Sequence, residues 1–481
     1  MIRITGEHSL ALHDVAGTRR LEQTARAALP AHTLMQRAGL ATARLALALA
    51  PHARRIWIAC GPGNNGGDGL EAAMHLQNWG KEPVVTWLGQ ADGAPVDARA
   101  SHARALQAGV KFSDAPPAHF DLCIDALLGL GADRAPEGKM AEWIALMRAS
   151  SAPCLSIDLP SGLGADTGCA PAQGVRADHT LSLLTLKPGL FTADGRDASG
   201  QVWFDDLGVY VDAATYPGVA VLGGPARARP RLHASHKGSF GDVAVLGGAS
   251  GMTGAALLCA SAALHAGAGR VYLCLLGAPA AAPAAARPEL MQRDAATIDL
   301  TAMTAVCGCG GGDAVRAVLP RVLATAARAV IDADALNALA ADAQLCTQLR
   351  QRAARARPTV ITPHPLEAAR LLDCSAARVQ ADRLGAAAQL AERFQCVVVL
   401  KGSGSIVAAP GAVSVINPTG NARLATAGTG DVLAGMVGAA LAAAVPAFEA
   451  ACEAVHAHGM AADRWPAEQA LTANALARLR M

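Results

Sequence analysis

Short apolar runs, each closed by glycine, proline or an acidic residue, alternate with helical periods along this chain, and they do so in two separate series. The first comprises Ile56–Cys60, Pro83–Leu88, Phe120–Asp125, Cys154–Asp158 and Thr180–Leu186, with helical periods over Asp68–Trp79 and Lys139–Ser150. Strands that alternate with helices bury both faces only in a largely parallel, doubly wound sheet. The second series holds Gly241–Gly247, Arg270–Leu276, Ala329–Asp332, Thr359–Thr362 and Val397–Leu400, and three helices over Gly430–Ala443, Ala447–Ala462 and Gln469–Arg480 close it. Between the two, Tyr216–Ser235 (YPGVAVLGGPARARPRLHAS) breaks the pattern. At 481 residues the chain is too long for one ordinary core. The fold class expected is α/β in two domains, 1–218 and 236–481, joined by a linker over 219–235. Ala278–Pro288 is low in complexity and reads as a surface loop; no internal repeat links the halves.

Composition narrows the function. Lys plus Arg number 41 against 39 Asp plus Glu, so no basic footprint points to nucleic acid. Only 17% of residues are charged and 3% aromatic, which favours closely packed α/β layers built from small and aliphatic side chains. Twelve cysteines contain no CxxC pair; reduced structural thiols are expected rather than a disulfide framework or zinc site. The N-terminal MIRITGEHSLALHD lacks the apolar run of a secretory signal, and Gly39–Ala50 is too short to span a membrane. The expectation is a cytoplasmic protein with no membrane partner.

In the first half, GPGNNGGDG (Gly61–Gly69) follows one predicted strand and precedes a helix. Such a turn offers backbone N–H groups to an anion, yet it has neither GxGxxG spacing nor a P-loop lysine. It is a phosphate or ribose cradle of another kind, or a turn satisfied by its own side chains. Asn65 and Asp68 add hard oxygens suited to an alkali or alkaline-earth cation or to sugar hydroxyls. Asp125, ahead of ALLGLGADR, and Asp158 in IDLPSG, with Ser161 three residues on, stand at strand ends where open sheets bind ligands. Each alone is a plausible loop cap; three such loops on one sheet edge make a site.

In the second half, NPTGNARLATAGTGDVLAG (Asn417–Gly435) places Gly-Thr-Gly-Asp at the mouth of an apolar helix. Amides and helix dipole there attract an anion, and Asp431 beside it suits a base that takes a proton from a hydroxyl. HKGSFGDVAVLGG (His236–Gly248), GMTGAALL (Gly251–Leu258), IDADALNAL (Ile331–Leu339), TPHPLEAARLL (Thr362–Leu372) and KGSGS (Lys401–Ser405) supply further glycine-bounded or polar strand ends. Singly, His364 reads equally as a loop histidine, Asp332 and Asp334 as helix caps, and Lys401 as a solvated lysine. Together with GTGD they point to phosphoryl chemistry on an alcohol.

LMQRAG (Leu34–Gly39), GPGNNGGDG, DALLGLG (Asp125–Gly131), IDLPSG and LKPGL (Leu186–Leu190), in that order, resemble the NAD(P)H-hydrate epimerase family. The resemblance implies a Rossmann-like three-layer αβα domain with potassium (K+) at Asn65, Asp125 and Ser161. It assigns hydrated NADH or NADPH to Asn64, Asn65, Gly66, Gly67 and Asp68, to Gly129, Leu130, Gly131, Ala132, Asp133 and Arg134, and to Asp158. Asp158 is also taken here as the group that moves protons between epimers.

TPHPLE, KGSGS, NPTGN and AGTGDVLAG are similar to the ribokinase-like superfamily, and within it to NAD(P)H-hydrate dehydratases. By position, Ala255, Gly310, His364 and Asp431 would contact the hydrated dinucleotide. Lys401, Gly402, Ser403, Gly404, Ser405 and Gly430 would hold the adenine nucleotide, ADP first and ATP second. Mg2+ is inferred from phosphoryl transfer alone. Cys309 stands where the family commonly has proline, Ala427 where it has glycine and Met252 where it has an aromatic residue. The implied activities are epimerisation of the R and S hydrates and nucleotide-driven dehydration of the S form, through phosphorylation of the ring hydroxyl and loss of phosphate. A vitamin or sugar kinase with a noncatalytic first half is the competing reading. A homo-oligomer is expected from both resemblances.

Overall fold

The branched aliphatic residues of both series form strands because they can be buried on both faces only under covering helices. The computed structural model describes residues 1–131, 135–170, 173–227, 229, 231–277 and 287–479. It divides into two compact units, Met1–Thr5 with Leu10–Ala220 and Gly6–Ser9 with Val221–Met481.

The first unit runs β1 (Ile2–Arg3), α1 (Val15–Ala28), α2 (Thr33–Leu49), β2 (Arg55–Cys60), α3 (Asn64–Asn78), β3 (Glu82–Trp87), α4 (Val96–Gln107), β4 (Lys111–Phe112), β5 (Leu122–Ala126), α5 (Lys139–Ala149), β6 (Cys154–Ile157), β7 (His179–Leu183) and β8 (Gln201–Asp205). Its strand order is β1-β8-β7-β6-β5-β2-β3-β4, and only the β1–β8 pair is antiparallel. The chain leaves β2 toward β3 on one side and returns to β5 on the other, with Ala59 beside Asp125. The loops after β2 and β5 therefore open a crevice at the point where strand order reverses.

The second unit contributes β9 (Asp242–Gly247), α6 (Thr253–His265), β10 (Arg270–Leu275), β11 (Met291–Gln292), β12 (Thr304–Cys307), β13 (Arg328–Ile331), β14 (Thr359–Ile361), α7 (Pro365–Leu372), α8 (Arg383–Phe394), β15 (Val397–Leu400), β16 (Ile406–Ala408), β17 (Ser414–Ile416), α9 (Thr429–Ala442) and α10 (Ala447–Asp463). The order β11-β10-β9-β12-β13-β14-β15-β16-β17 is parallel up to β15 and antiparallel beyond it. α9 is almost wholly buried. Gly435 lets it press on α6, since a Cβ at that position would lie 2.1 Å from the Cys259 carbonyl oxygen.

Several sequence expectations change. α3 starts at Asn64, inside the glycine-rich motif, so NNGGDG is the first turns of a helix and not a loop. Of the expected helix Gln469–Arg480 the described residues retain Ala473–Leu476, with Thr472 as its cap. The strand at β12 and the β16–β17 hairpin were not foreseen. The span 219–235 includes a short strand, Ala220–Leu222, and its later part packs on the second unit: Arg231 donates to Gly267 O at 2.9 Å and lies over the Phe240 ring. Most of the Ala278–Pro288 stretch lies outside the described residues. Among the described residues no helix is long and apolar enough to cross a membrane.

Candidate active sites

The crevice of the first unit is a cavity of about 400 Å³, lined by Asn64, Asn65 and Asp68 from α3, Gly129–Gly131 after β5, Asp158 after β6 and Glu22 from α1, among others. Gly66 and Gly67 face protein instead. A Cβ on Gly66 would lie 2.0 Å from Gly61 O, and one on Gly67 would strike Met35. Their part in the site is to let the helix start this close to β2. Ala132, Asp133 and Arg134 lie outside the described residues.

Asp125 is fully buried. It accepts from Ser161 Oγ at 2.5 Å, Ser161 N at 2.9 Å, Ser156 Oγ at 2.8 Å and Leu127 N at 3.2 Å. Burial pushes its carboxyl up, and these hydrogen bonds partly oppose the rise. The donors are all neutral, so none of them balances its charge. Asn65 Nδ2 donates to Leu128 O at 2.9 Å, and Leu128 N donates to Ser161 Oγ at 2.9 Å. Asn65, Asp125 and Ser161 are thereby tied together around Leu128, with oxygens of the hard type that a monovalent cation takes.

Asp158 has a left-handed backbone, φ +67°, which for a residue with a side chain is strain held by its surroundings. Its carboxylate contacts the ammonium of Lys187, which is 0% exposed and also donates to Leu183 O at 2.8 Å. Asp68 has no hydrogen-bond donor among the described residues. Burial pushes its carboxyl well above the ordinary range, and the Asp158 and Glu22 carboxylates push it further.

In the second unit the topology itself gathers the site. β12, β13, β14 and β15 are neighbours, and their carboxyl ends carry Cys309, Asp332, Thr362 with His364, and Lys401. Lys401 Nζ donates to Asp332 Oδ1 at 2.8 Å, Thr362 Oγ1 donates to the same oxygen at 2.8 Å, and Glu367 lies 3.9 Å from the ammonium. Burial works against the Lys401 charge, but Asp332 and Glu367 more than offset it and its pKa is raised. Asp431 sits in the first turn of α9, near Asp332 and Cys309. Burial first and Asp332 second push its carboxyl up to about 6, against opposing pulls from Cys309 and Lys401.

Gly428 caps α9 in the left-handed region, φ +91°. Gly430 and Asp431 have no main-chain acceptor for their amides among the described residues, as the first turn of a helix leaves them. A Cβ on Gly430 would lie 3.5 Å from Lys401 Nζ, which places the cation against the same turn. From behind, His458 bonds Thr429 O at 2.9 Å, and burial lowers its pKa to about 4. His364 caps α7, its Nδ1 accepting from Leu366 N and Glu367 N, while Glu367 accepts from His364 N at 2.8 Å. Gly310 turns back at φ +58° beside Ala255, which its Cβ would meet at 2.8 Å. Asn417 and Thr419 of NPTGN are buried and bonded to each other, and Asp463 of α10 holds Gly420 N and Asn421, so this motif shapes the turn.

Two residue models fit these two halves. Residues 31–189 match the family described as YjeF-related protein N-terminus, and residues 243–480 match NAD(P)H-hydrate dehydratase. The bifunctional NAD(P)H-hydrate repair enzyme Nnr of Escherichia coli is 38% identical over 90% of this chain and 85% of its own. The chain belongs to the bifunctional NAD(P)H-hydrate repair enzymes. The Nnr enzyme of Coxiella burnetii is 35% identical over 93% of each chain. A crystal structure of an ADP/ATP-dependent NAD(P)H-hydrate dehydratase from Bacillus subtilis, co-crystallised with ATP/Mg2+, is 29% identical over 52% of this chain and 90% of that one, with a TM-score of 0.44.

Sequence reasoning on this repair enzyme missed Lys187, Glu367 and Arg383. Lys187 had a signal: a lysine enclosed by apolar residues in SLLTLKPGL. Arg383 had one too, because it shares a helical face with Ala387, Leu390 and Phe394, all buried. Wholly buried, it donates to the carbonyls of Leu400, Lys401 and Gly404 at 3.4, 3.2 and 3.4 Å. It is the inner brace of the KGSGS loop. Arg383→Met is expected to lower stability by about 3 kcal/mol through unsatisfied buried carbonyls. Thermal melting against the wild type checks it.

Proposed function

We propose that the two crevices perform successive steps of nicotinamide repair on one chain. In the first, Asp158 takes and returns the proton that lets R and S hydrates interconvert, Lys187 pairs with its carboxylate, and Asp68, whose carboxyl burial pushes well above the ordinary range, acts as the acid. Asn64, Asn65 and Gly129–Gly131 bind the hydrated dinucleotide. Asn65, Asp125 and Ser161 hold K+, whose charge would balance the buried Asp125 carboxylate. Asp125→Asn is expected to remove potassium stimulation of epimerisation, roughly tenfold or more in rate, while dehydration proceeds unchanged.

In the second, Asp431 deprotonates the hydroxyl of the S hydrate, and Lys401 with the Gly430 and Asp431 amides stabilises the transferring phosphoryl group of ADP or ATP. Gly402–Ser405 cradle the nucleotide, and Ala255, Gly310 and His364 position the hydrate. Mg2+ bound with the nucleotide would neutralise charge on its phosphates. Water is a poor leaving group and phosphate a good one, so phosphorylation converts a stalled elimination into an easy one. The observation that carries this reading is the convergence of Lys401, Asp332 and Asp431 on the amide-lined mouth of α9.

The test mixes chemically hydrated NADH epimers with the protein, K+, Mg2+ and ADP or ATP and follows absorbance of the reduced nicotinamide. Full recovery with release of inorganic phosphate supports both steps. Recovery of half removes the epimerase, and a stable phosphorylated product in place of phosphate makes the chain a kinase. A cytoplasmic homo-oligomer belongs to the same reading; free thiols at all twelve cysteines suit a reducing compartment, and light scattering checks the assembly.

A further inference from the structure

Cys309, a departure from the family pattern, carries a thiol to the side of two carboxylates of the second unit. It is 0% exposed and follows β12; Asp332, 1% exposed, follows β13; Asp431 opens α9. One sulfur and one oxygen from each carboxylate lie within 4.8 Å of one another. The Cys309 thiol points at Asp332 Oδ2, 3.9 Å away, while the other Asp332 oxygen is taken by Lys401 and Thr362. Oδ2 thus has only the thiol as its donor among the described residues.

We propose that Cys309, Asp332 and Asp431 form a site for a thiophilic divalent cation, of which Zn2+ is the type, and that its occupation switches the dehydratase off. One thiolate and two carboxylates are a donor set zinc accepts, at about 2.3 Å to sulfur and 2.0–2.2 Å to oxygen, with a fourth position left to water. Mg2+ has no use for the sulfur. Binding replaces the S–H proton, which leaves to solvent as the Zn–S bond forms. A dication balances both carboxylates at once, whereas the Lys401 ammonium pairs directly with Asp332 alone of the two. Once bound, it holds the Asp431 carboxylate, so no base remains for the substrate hydroxyl. The zinc site stands independently of Asp431's catalytic role; only the inhibition rests on it.

The experiment titrates the full chain with ZnCl2 by calorimetry and with CoCl2 by absorbance, without nucleotide, and then measures both activities with and without zinc. One ion per chain, a thiolate-to-cobalt charge-transfer band in the near ultraviolet, and zinc inhibition of dehydration reversed by a chelator while epimerisation continues are expected. In Cys309→Ala the band should vanish and zinc binding weaken about tenfold or more; Cys309→Ser serves if that variant does not fold. A cobalt spectrum without the thiolate band, or undiminished zinc binding in both variants, overturns the site. Zinc binding with the band but without inhibition keeps the site and overturns the switch, and with it the assignment of Asp431 as the base.

Discussion

Asp431→Asn is expected to reduce dehydration by about 10²- to 10⁴-fold, the range general-base removal produces, while epimerisation by the same chain is untouched. The amide keeps the shape and the hydrogen bonding but cannot accept the proton. The wild-type rate should also depend on pH. With the Asp431 carboxyl pushed up to about 6, the base is protonated and inactive below that value, so activity rises as pH climbs through 6 and then levels. Stability runs the other way. A folded-state pKa above the unfolded value of 3.8 contributes stability that is complete below pH 3.8 and lost as pH rises through 6. A shift of this size corresponds to about 3 kcal/mol at neutral pH. Asp431→Asn lifts that penalty, so its melting temperature at pH 7.5 should equal or exceed the wild type's even as activity collapses. Stopped-assay kinetics from pH 5 to 8 and calorimetry at the two ends measure both. A variant that loses activity and stability together would mean that Asp431 is structural.

Much of this architecture was legible because the strands are buried on both faces and read as unbroken apolar runs. Val397–Leu400 and Ile56–Cys60 could hardly be anything else. The motifs at their carboxyl ends then fell on one edge of each sheet by topology. The NNGG helix start was hidden because glycines and asparagines score as turn formers, whereas here Gly66 and Gly67 serve close packing on Gly61 O and Met35. Sequence also hid the ion pairs. Asp332 and Lys401 lie 69 residues apart across two crossovers, and Asp158 and Lys187 lie 29 apart across one; crossover length carries no phase information. Cys309 stood out in the sequence only as a departure from the family pattern. In the structure its thiol lies beside Asp332 and Asp431.

Lys187→Met is expected to cost roughly 3–5 kcal/mol and to remove epimerisation, leaving dehydration in place. The ammonium is fully buried against Asp158, and removing one partner of such a pair strands the other charge in a low-dielectric interior. Asp158→Asn should be similarly destabilising for the mirror-image reason, since Lys187 then keeps only the Leu183 carbonyl and a longer contact to Ser182 Oγ at 3.4 Å. Joining the two changes separates structure from chemistry. Asp158→Asn with Lys187→Met removes both charges, so the double variant should regain most of the lost stability, a coupling of several kcal/mol in a double-mutant cycle. Epimerisation should stay absent, because no carboxylate is left to carry the proton. Recovery of half of a mixed-epimer pool, at full dehydratase rate, is the signature in all three variants. Were the double variant to regain epimerisation along with stability, Asp158 would be a scaffold residue and the proton carrier would have to be sought elsewhere in the cavity, with Asp68 first.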